Sequence, residues 1–413
     1  MMTRSYLSPR ARSHGFTLVE LLVSMTVVAL LMGVLLQTVF QTQVIWTGAR
    51  NRVEEFREAR IAFEAITRRL SQATLNSVWD YDNPTTPTRY QRYSDLHFVT
   101  GPSHKTSGGQ GLLQTVNNTC GHAIFFQAPM GFAGQEVGGT SASAAYDNME
   151  ELLNGWGFYV QYRSDLADRP EFLRKDSGPN GRNPERNTFS LMEFRQPSES
   201  LPVFLQGTDL KPLLATQTAS AGLYSWFRDG TVGGVNPPVT CDINTGSRVL
   251  ARNILALIIS PRVPTQGVGS ACDYDVAPSY FYDSREFQMA TPTNSGTDRN
   301  GTQLIQASRH QLPPVLEVTL VALDDASWGN YLEGGGDESK YLEYVRTHFQ
   351  SVGTVTNRNS SSYEGTLRTD LANLESMLAG DRVAYRIFSS SVELRSAKWT
   401  TDADLPATAS TNP

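Results

Sequence analysis

The run from Phe16 to Phe40 constrains this chain more than any other feature, because its residues are uncharged and mostly apolar apart from one acid, Glu20. As a helix rising about 1.5 Å per residue it would reach roughly 37 Å, enough to cross a hydrocarbon core of about 30 Å. The run therefore predicts a membrane helix. A secretory signal peptide also pairs a short basic region with an apolar stretch, but its apolar part is shorter. The best small-x-small exit here, Thr47-Gly48-Ala49, lies several residues beyond the apolar end. A carboxylate inside a bilayer costs about 2.5 to 3.5 kcal/mol and persists where it has a partner, so Glu20 calls for a cation. The simpler alternative is an acid snorkelling from an ordinary single-pass anchor.

Three arginines, Arg4, Arg10 and Arg12, and no acid precede Gly15. The order Gly15, Phe16, Thr17, Leu18, Val19, Glu20, followed by apolar or small residues from Leu21 to Val34, resembles the class III leader and methylation motif of type IV prepilins and pseudopilins. That resemblance implies that a prepilin peptidase cuts between Gly15 and Phe16 and that the new amino terminus at Phe16 is N-methylated. It further implies that Glu20 neutralises the amine of a neighbouring subunit during filament assembly. The residue types suit these roles. Gly15 offers no side chain to obstruct a peptidase, and the helix dipole favours an acid in the first turn by a few tenths to about 1 kcal/mol. Charge does not decide orientation, since Arg50, Arg52, Arg57 and Arg60 follow the span. The resemblance implies a single pass through the inner membrane, leader cytoplasmic and head periplasmic or extracellular.

Beyond the span, Phe56, Ala59, Phe63, Ile66, Leu70 and Ala73 recur at spacings of three and four, with Glu54, Glu55, Arg57, Glu58, Arg60, Arg68 and Arg69 on other faces. With no proline between Pro9 and Pro84, one helix is expected from about Phe16 to Ser77. Its apolar stripe is short for a coiled coil and is expected to pack on the chain's own sheet. The organisation that follows is a leader at 1–15, a membrane half-helix at 16–40, an amphipathic half at 41–78, a β-rich extracytoplasmic head at 79–399 and a structureless tail at 400–413. Strands are predicted at 96–99, 122–127, 158–163, 191–194, 223–227, 254–263, 315–323 and 383–388, and late helices at 338–349 and 367–378. Long loops are predicted at 80–94, 101–118, 164–190 and 264–312. The fold class is α+β, a long amino-terminal helix on an antiparallel sheet.

The stretch "RVEEFREARIAFEAITRRLSQA" resembles the matching helix of J-type minor pseudopilins of type II secretion. Gln37 stands where many major pilins carry a helix-bending proline. The segments "RVLARNILALIISPRV", "HQLPPVLEVTLVALDD" and "VAYRIFSSSVELRSAKWT" resemble the closing strands of such heads and, with the chain length, the cassette protein C family of the Verru_Chthon prepilin-like cassettes. These resemblances imply a structural subunit of a type II secretion or type IV pilus-like filament, with other pilin-like subunits as partners. The competing reading is a pilin-anchored adhesin whose enlarged loops bind a surface ligand.

Net charge is −6, and the leader holds three of the positive charges, so the head shows no electrostatic footprint for nucleic acid. Cys120, Cys241 and Cys272 have no metal-binding spacing; Cys241 with Cys272 is the preferred disulfide, and three unpaired thiols remain an equal alternative. The six histidines show no paired metal spacing, and no phosphate loop, nucleophile elbow or dinucleotide fingerprint is present. "LEGGGDESK" has the glycines of a phosphate loop without its Gly-Lys-Ser/Thr end and is expected to be a turn into a capped helix. Asp273, Asp275, Asp283, Asp298 and Asn300 supply oxygen donors without EF-hand order. The expectation is a non-enzymatic chain with no cofactor and no metal.

Overall fold

The computed structural model describes residues 17–81, 85–86, 90–104, 111–113, 116–131, 152–175, 177–178, 181–182, 184–198, 201, 226–227, 230–232, 239–241, 243–262, 277, 280–285, 310–350 and 363–399. It comprises two units, Met1–Glu54 and Glu55–Pro413, and helix α1 (Leu18–Leu70) contributes to both.

In the first unit, α1 is apolar and solvent-exposed all round from Leu18 to Gln43, with none of that stretch buried against protein. Its hydroxyls are satisfied within the helix. Ser24 donates to Leu21 O at 2.9 Å, Thr26 to Val23 O at 2.8 Å, Thr38 to Leu35 O at 2.8 Å and Thr42 to Thr38 O at 2.7 Å. Such back-bonding removes the cost of carrying polar groups into hydrocarbon.

In the second unit, the rest of α1 buries the stripe that its periodicity marks out: Ala59, Phe63, Ile66 and Leu70 lie in the core, with Ala73 beyond the helix end and Phe56 partly covered. The stripe packs on the chain's own sheets, Phe63 meeting the Phe388 ring at 5.9 Å. The helix stops at Leu70 rather than Ser77. Ala73 N bonds back to Leu70 O at 3.0 Å, tightening the last turn, and Thr74 N then joins Gln127 O at 3.0 Å, which draws the chain into the sheet.

The larger sheet is antiparallel and six-stranded, in the order β11 (Tyr282–Asp283), β3 (Val99–Pro102), β4 (Thr119–Pro129), β5 (Leu153–Ser164), β6 (Asn187–Gln196) and β9 (Ser247–Arg252). A second antiparallel sheet comprises β10 (Ile254–Arg262), β12 (Val315–Leu323) and β13 (Tyr385–Glu393). Two hairpins, β1 (Val78–Tyr81) with β2 (Tyr90–Tyr93) and β7 (Gly230–Val232) with β8 (Val239–Cys241), complete the described strands. The strands of the larger sheet other than the edge strand β9 are largely buried on both faces, and alternation along them sorts residues between two cores. Phe158, Val160 and Leu191 share one with α1 and the smaller sheet, while Tyr159, Met192 and Phe194 share the other with Phe125, Trp226 and Phe227.

The two sheets meet closely at Gly121, where the β4 register shifts between Cys120 and Ile124. Its φ is +66°, and a Cβ there would lie 2.8 Å from Leu257 O on β10, so only glycine fits. The next residue, His122, crosses the same gap.

Among the described residues, three helices follow β12 and precede β13. Helix α2 (Asp325–Glu333), which periodicity did not reveal, starts at Asp324, whose side chain accepts from Ser327 N at 2.9 Å. Helix α3 (Glu338–Thr347) is the capped helix expected after the triple glycine, with Asp337 accepting from Ser339 N at 2.9 Å. Helix α4 (Tyr363–Gly380) extends the expected one at both ends. Lys340 and Tyr341 of α3 both donate to Asp381 just past α4, each at 2.6 Å.

Other expectations shift. The stretch 80–94, expected as a loop, contains most of the β1–β2 hairpin. The strand expected at 96–99 begins at Val99, and the one at 383–388 runs Tyr385–Glu393, because pairing with β4 and β12 sets their limits. Trp226 and Phe227, expected at the end of a strand, form a turn instead. Strand β12 alternates only from Val315 to Val318; the rest is buried on both faces, as befits the middle strand of a covered sheet. Residues 400–413, the expected tail, lie outside the described residues.

Candidate functional site

The amino end of α1 is built by Thr17. Its backbone carbonyl accepts the first helical bond, from Leu21 N at 3.2 Å, and its Oγ1 accepts from Glu20 N at 3.3 Å. Thr17 is thus the helix cap and Glu20 the third helical residue, so Thr17-Leu18-Val19-Glu20 has the spacing of a capping box. Glu20 lies in the first turn and is exposed, where the N-terminal dipole favours its charge. The spacing of this cap is a local feature of the sequence, a threonine three residues before a glutamate at the start of an apolar run. Gly15 and Phe16 lie outside the described residues.

Cys120 is free and buried; its thiol reaches toward Leu255 O at 3.5 Å, and burial pushes its pKa up to about 12, which makes it inert at neutral pH. Cys241 ends β8, its side chain among those not described, and Cys272 lies outside the described residues, so the expected disulfide falls there too. Of the loop oxygen donors without EF-hand order, Asp283 is wholly buried, its Oδ1 accepting from His97 Nε2 and from Arg285 N, each at 2.8 Å; Asp273, Asp275, Asp298 and Asn300 lie outside the described residues. Among the described residues no group of three His, Cys, Asp or Glu side chains could hold a metal ion.

The head holds three buried polar assemblies that the sequence did not disclose. His97 joins Asp283 to Trp226: the indole N–H donates to Nδ1 at 2.9 Å, so Nε2 carries the proton given to Asp283. Burial lowers the His97 pKa, against a raising contribution from Asp283. An indole N–H can donate but cannot attack, so this chain of groups positions loops rather than activating a nucleophile. His122 spans β4, β10 and the end of α3, its Nδ1 accepting from Ile259 N at 2.9 Å and its Nε2 donating to Phe349 O at 2.8 Å. Glu193, also wholly buried, lies where Arg69, Arg195, Arg248 and Trp156 converge.

A long apolar amino-terminal helix, its later part packed on antiparallel sheet between extended loops, makes this an α+β chain with a pilin-like fold. In agreement, residues 10–36 match the family model described as the prokaryotic N-terminal methylation motif. No curated protein and no solved structure matches the chain.

Proposed function

We propose that the chain is a minor pseudopilin-like subunit, J-like and akin to the Verru_Chthon cassette proteins, cut after Gly15 by a prepilin peptidase and N-methylated at Phe16. It is anchored in the inner membrane with its head outside the cytoplasm and assembles into a type II secretion or type IV pilus-like filament. The observation that carries this reading is the methylation-motif match running directly into an exposed apolar helix of spanning length, capped at Thr17 with Glu20 in its first turn. Cleavage would place the new amine on the residue before the cap, at the same end of the helix as Glu20. In a bundle of such helices, the amine of one subunit and the carboxylate of the next offset each other's desolvation, which fixes an axial register that apolar side chains alone would leave free.

The mature amino terminus tests the reading directly. Mass spectrometry is expected to find a methylated Phe16, and Glu20→Ala is expected to insert in the membrane normally but fail to assemble. A mature protein that retains Met1, or begins near residue 50, would refute it.

A second reading, a pilin-anchored binding module, is favoured by the β1–β2 hairpin. Val78, Trp79 and Tyr81 there are exposed, and Arg92 lies over the Trp79 ring at 5.5 Å. Loss of ligand binding with intact assembly on Trp79→Ala would support it.

A further inference from the structure

The chain carries no charged residue between Glu20 and Arg50, and Trp46 stands near the end of that stretch, past the apolar run and four residues before the first arginine. Trp46 belongs to α1 and is 72 % exposed. Trp156, Trp226 and Trp328, by contrast, are buried in the head. A ring of that size outside a core calls for another apolar surface, and its N–H calls for an acceptor. A membrane–water interface offers both, since acyl chains there adjoin the polar headgroups.

Helix geometry places Trp46 in that layer. Leu21 to Phe40 is a run of twenty residues, about 30 Å of helix, which equals the thickness of the hydrocarbon core, and every residue of the run is exposed. Trp46 lies six residues beyond Phe40, about 9 Å further along the axis. Side chains on a helix lean toward its amino end, so the indole reaches back into the headgroup layer, about 5 to 7 Å deep on each face. The same placement sets Glu20, the residue before Leu21, at the opposite boundary. From Glu20 to Trp46 is about 39 Å of helix, longer than the hydrocarbon core and just within the roughly 40 to 45 Å of the bilayer with its headgroups. Sliding the helix toward the head's side frees Trp46 but draws Glu20 into hydrocarbon. Sliding it the other way buries Gln41, Gln43 and the indole N–H.

We infer that Trp46 anchors the unassembled chain in the lipid headgroup layer and, with Glu20 held at the opposite boundary, fixes the depth at which α1 stands in the bilayer. The inference rests on the membrane-anchored reading above. It deepens that reading: the carboxylate loses its polar surroundings only when α1 leaves the bilayer for a bundle of such helices.

The test uses the full-length chain reconstituted into phosphatidylcholine vesicles, either plain or with bromine attached to the acyl chains close to the headgroup or deep within them. Bromine quenches tryptophan fluorescence on contact, and the difference between the wild type and Trp46→Phe isolates the Trp46 signal from those of the head. The wild type is expected to lose more of its fluorescence than Trp46→Phe, with a larger excess for shallow bromine than for deep. Leu30→Trp in the Trp46→Phe background, at the middle of the apolar run, is expected to reverse that order. Equal quenching of the wild type and Trp46→Phe, which would put Trp46 in water or against protein, overturns the inference. So does an excess that is larger for deep bromine, or the same depth order for both positions. An alkaline carbonate wash separates the two levels. A chain washed off the vesicles refutes the membrane anchor and the inference with it, whereas a chain that stays without a Trp46 excess refutes the inference alone.

Discussion

Acid should loosen the head through His122, and the size of the effect follows from its surroundings. The imidazole is fully enclosed between the two sheets, held as one neutral tautomer by Ile259 N–H and the Phe349 carbonyl. Burial lowers its pKa from an ordinary 6.5 to about 4, although the backbone contacts with Phe349 and Ile259 favour the charged form. A protonated Nδ1 could donate to Ile259 O, 3.0 Å away, but would then face Ile259 N–H donor to donor. Because the unfolded chain takes up the proton first, the stability contributed by neutral His122 is complete above about pH 6.5 and is lost as pH falls toward 4. At about 1.4 kcal/mol per pH unit the loss reaches about 3 kcal/mol by pH 4. His97, whose pKa is also lowered, adds in the same direction. Denaturant unfolding of the full chain in micelles, followed by tryptophan fluorescence from pH 7 to 4, measures the slope. His122→Asn should be less stable at pH 7 yet lose about 3 kcal/mol less on acidification. Parallel pH profiles for the two proteins would refute the argument, because they would mean that His122 contributes no differential proton uptake.

Two further outcomes test the packing. Gly121→Ala must combine a left-handed backbone with a Cβ 2.8 Å from the Leu257 carbonyl oxygen, which has no flexible side chain to move aside; a loss of about 2 kcal/mol or more in unfolding free energy is expected. Ile66→Ala, on the covered stripe of α1, should cost about 2 to 5 kcal/mol, whereas Ile61→Ala, 57 % exposed on another face, should stay within about 0.5 kcal/mol; equal costs would mean that the helix face is wrongly assigned.

What the sequence determined by itself were the features written in contiguous residues. The motif from Gly15 to Glu20 is a contiguous run of residue types, and the apolar run behind it and the stripe from Phe56 to Leu70 are properties of a single helix, whose 3.6-residue period can be read without any partner. The same holds for β12, β10 and the glycine turn into α3, where composition and capping residues act locally. Even the cap at Thr17 was available, three residues before its glutamate. The tertiary structure alone decided which distant groups meet. Glu193 meets Arg69 and Arg248 because strand register and one turn of α1 bring them together, and His97 meets Trp226 and Asp283 across separations of 129 and 186 residues. No local periodicity encodes such meetings: pairing across strands depends on register, and burial then makes each enclosed polar group bond to whatever partner the fold presents.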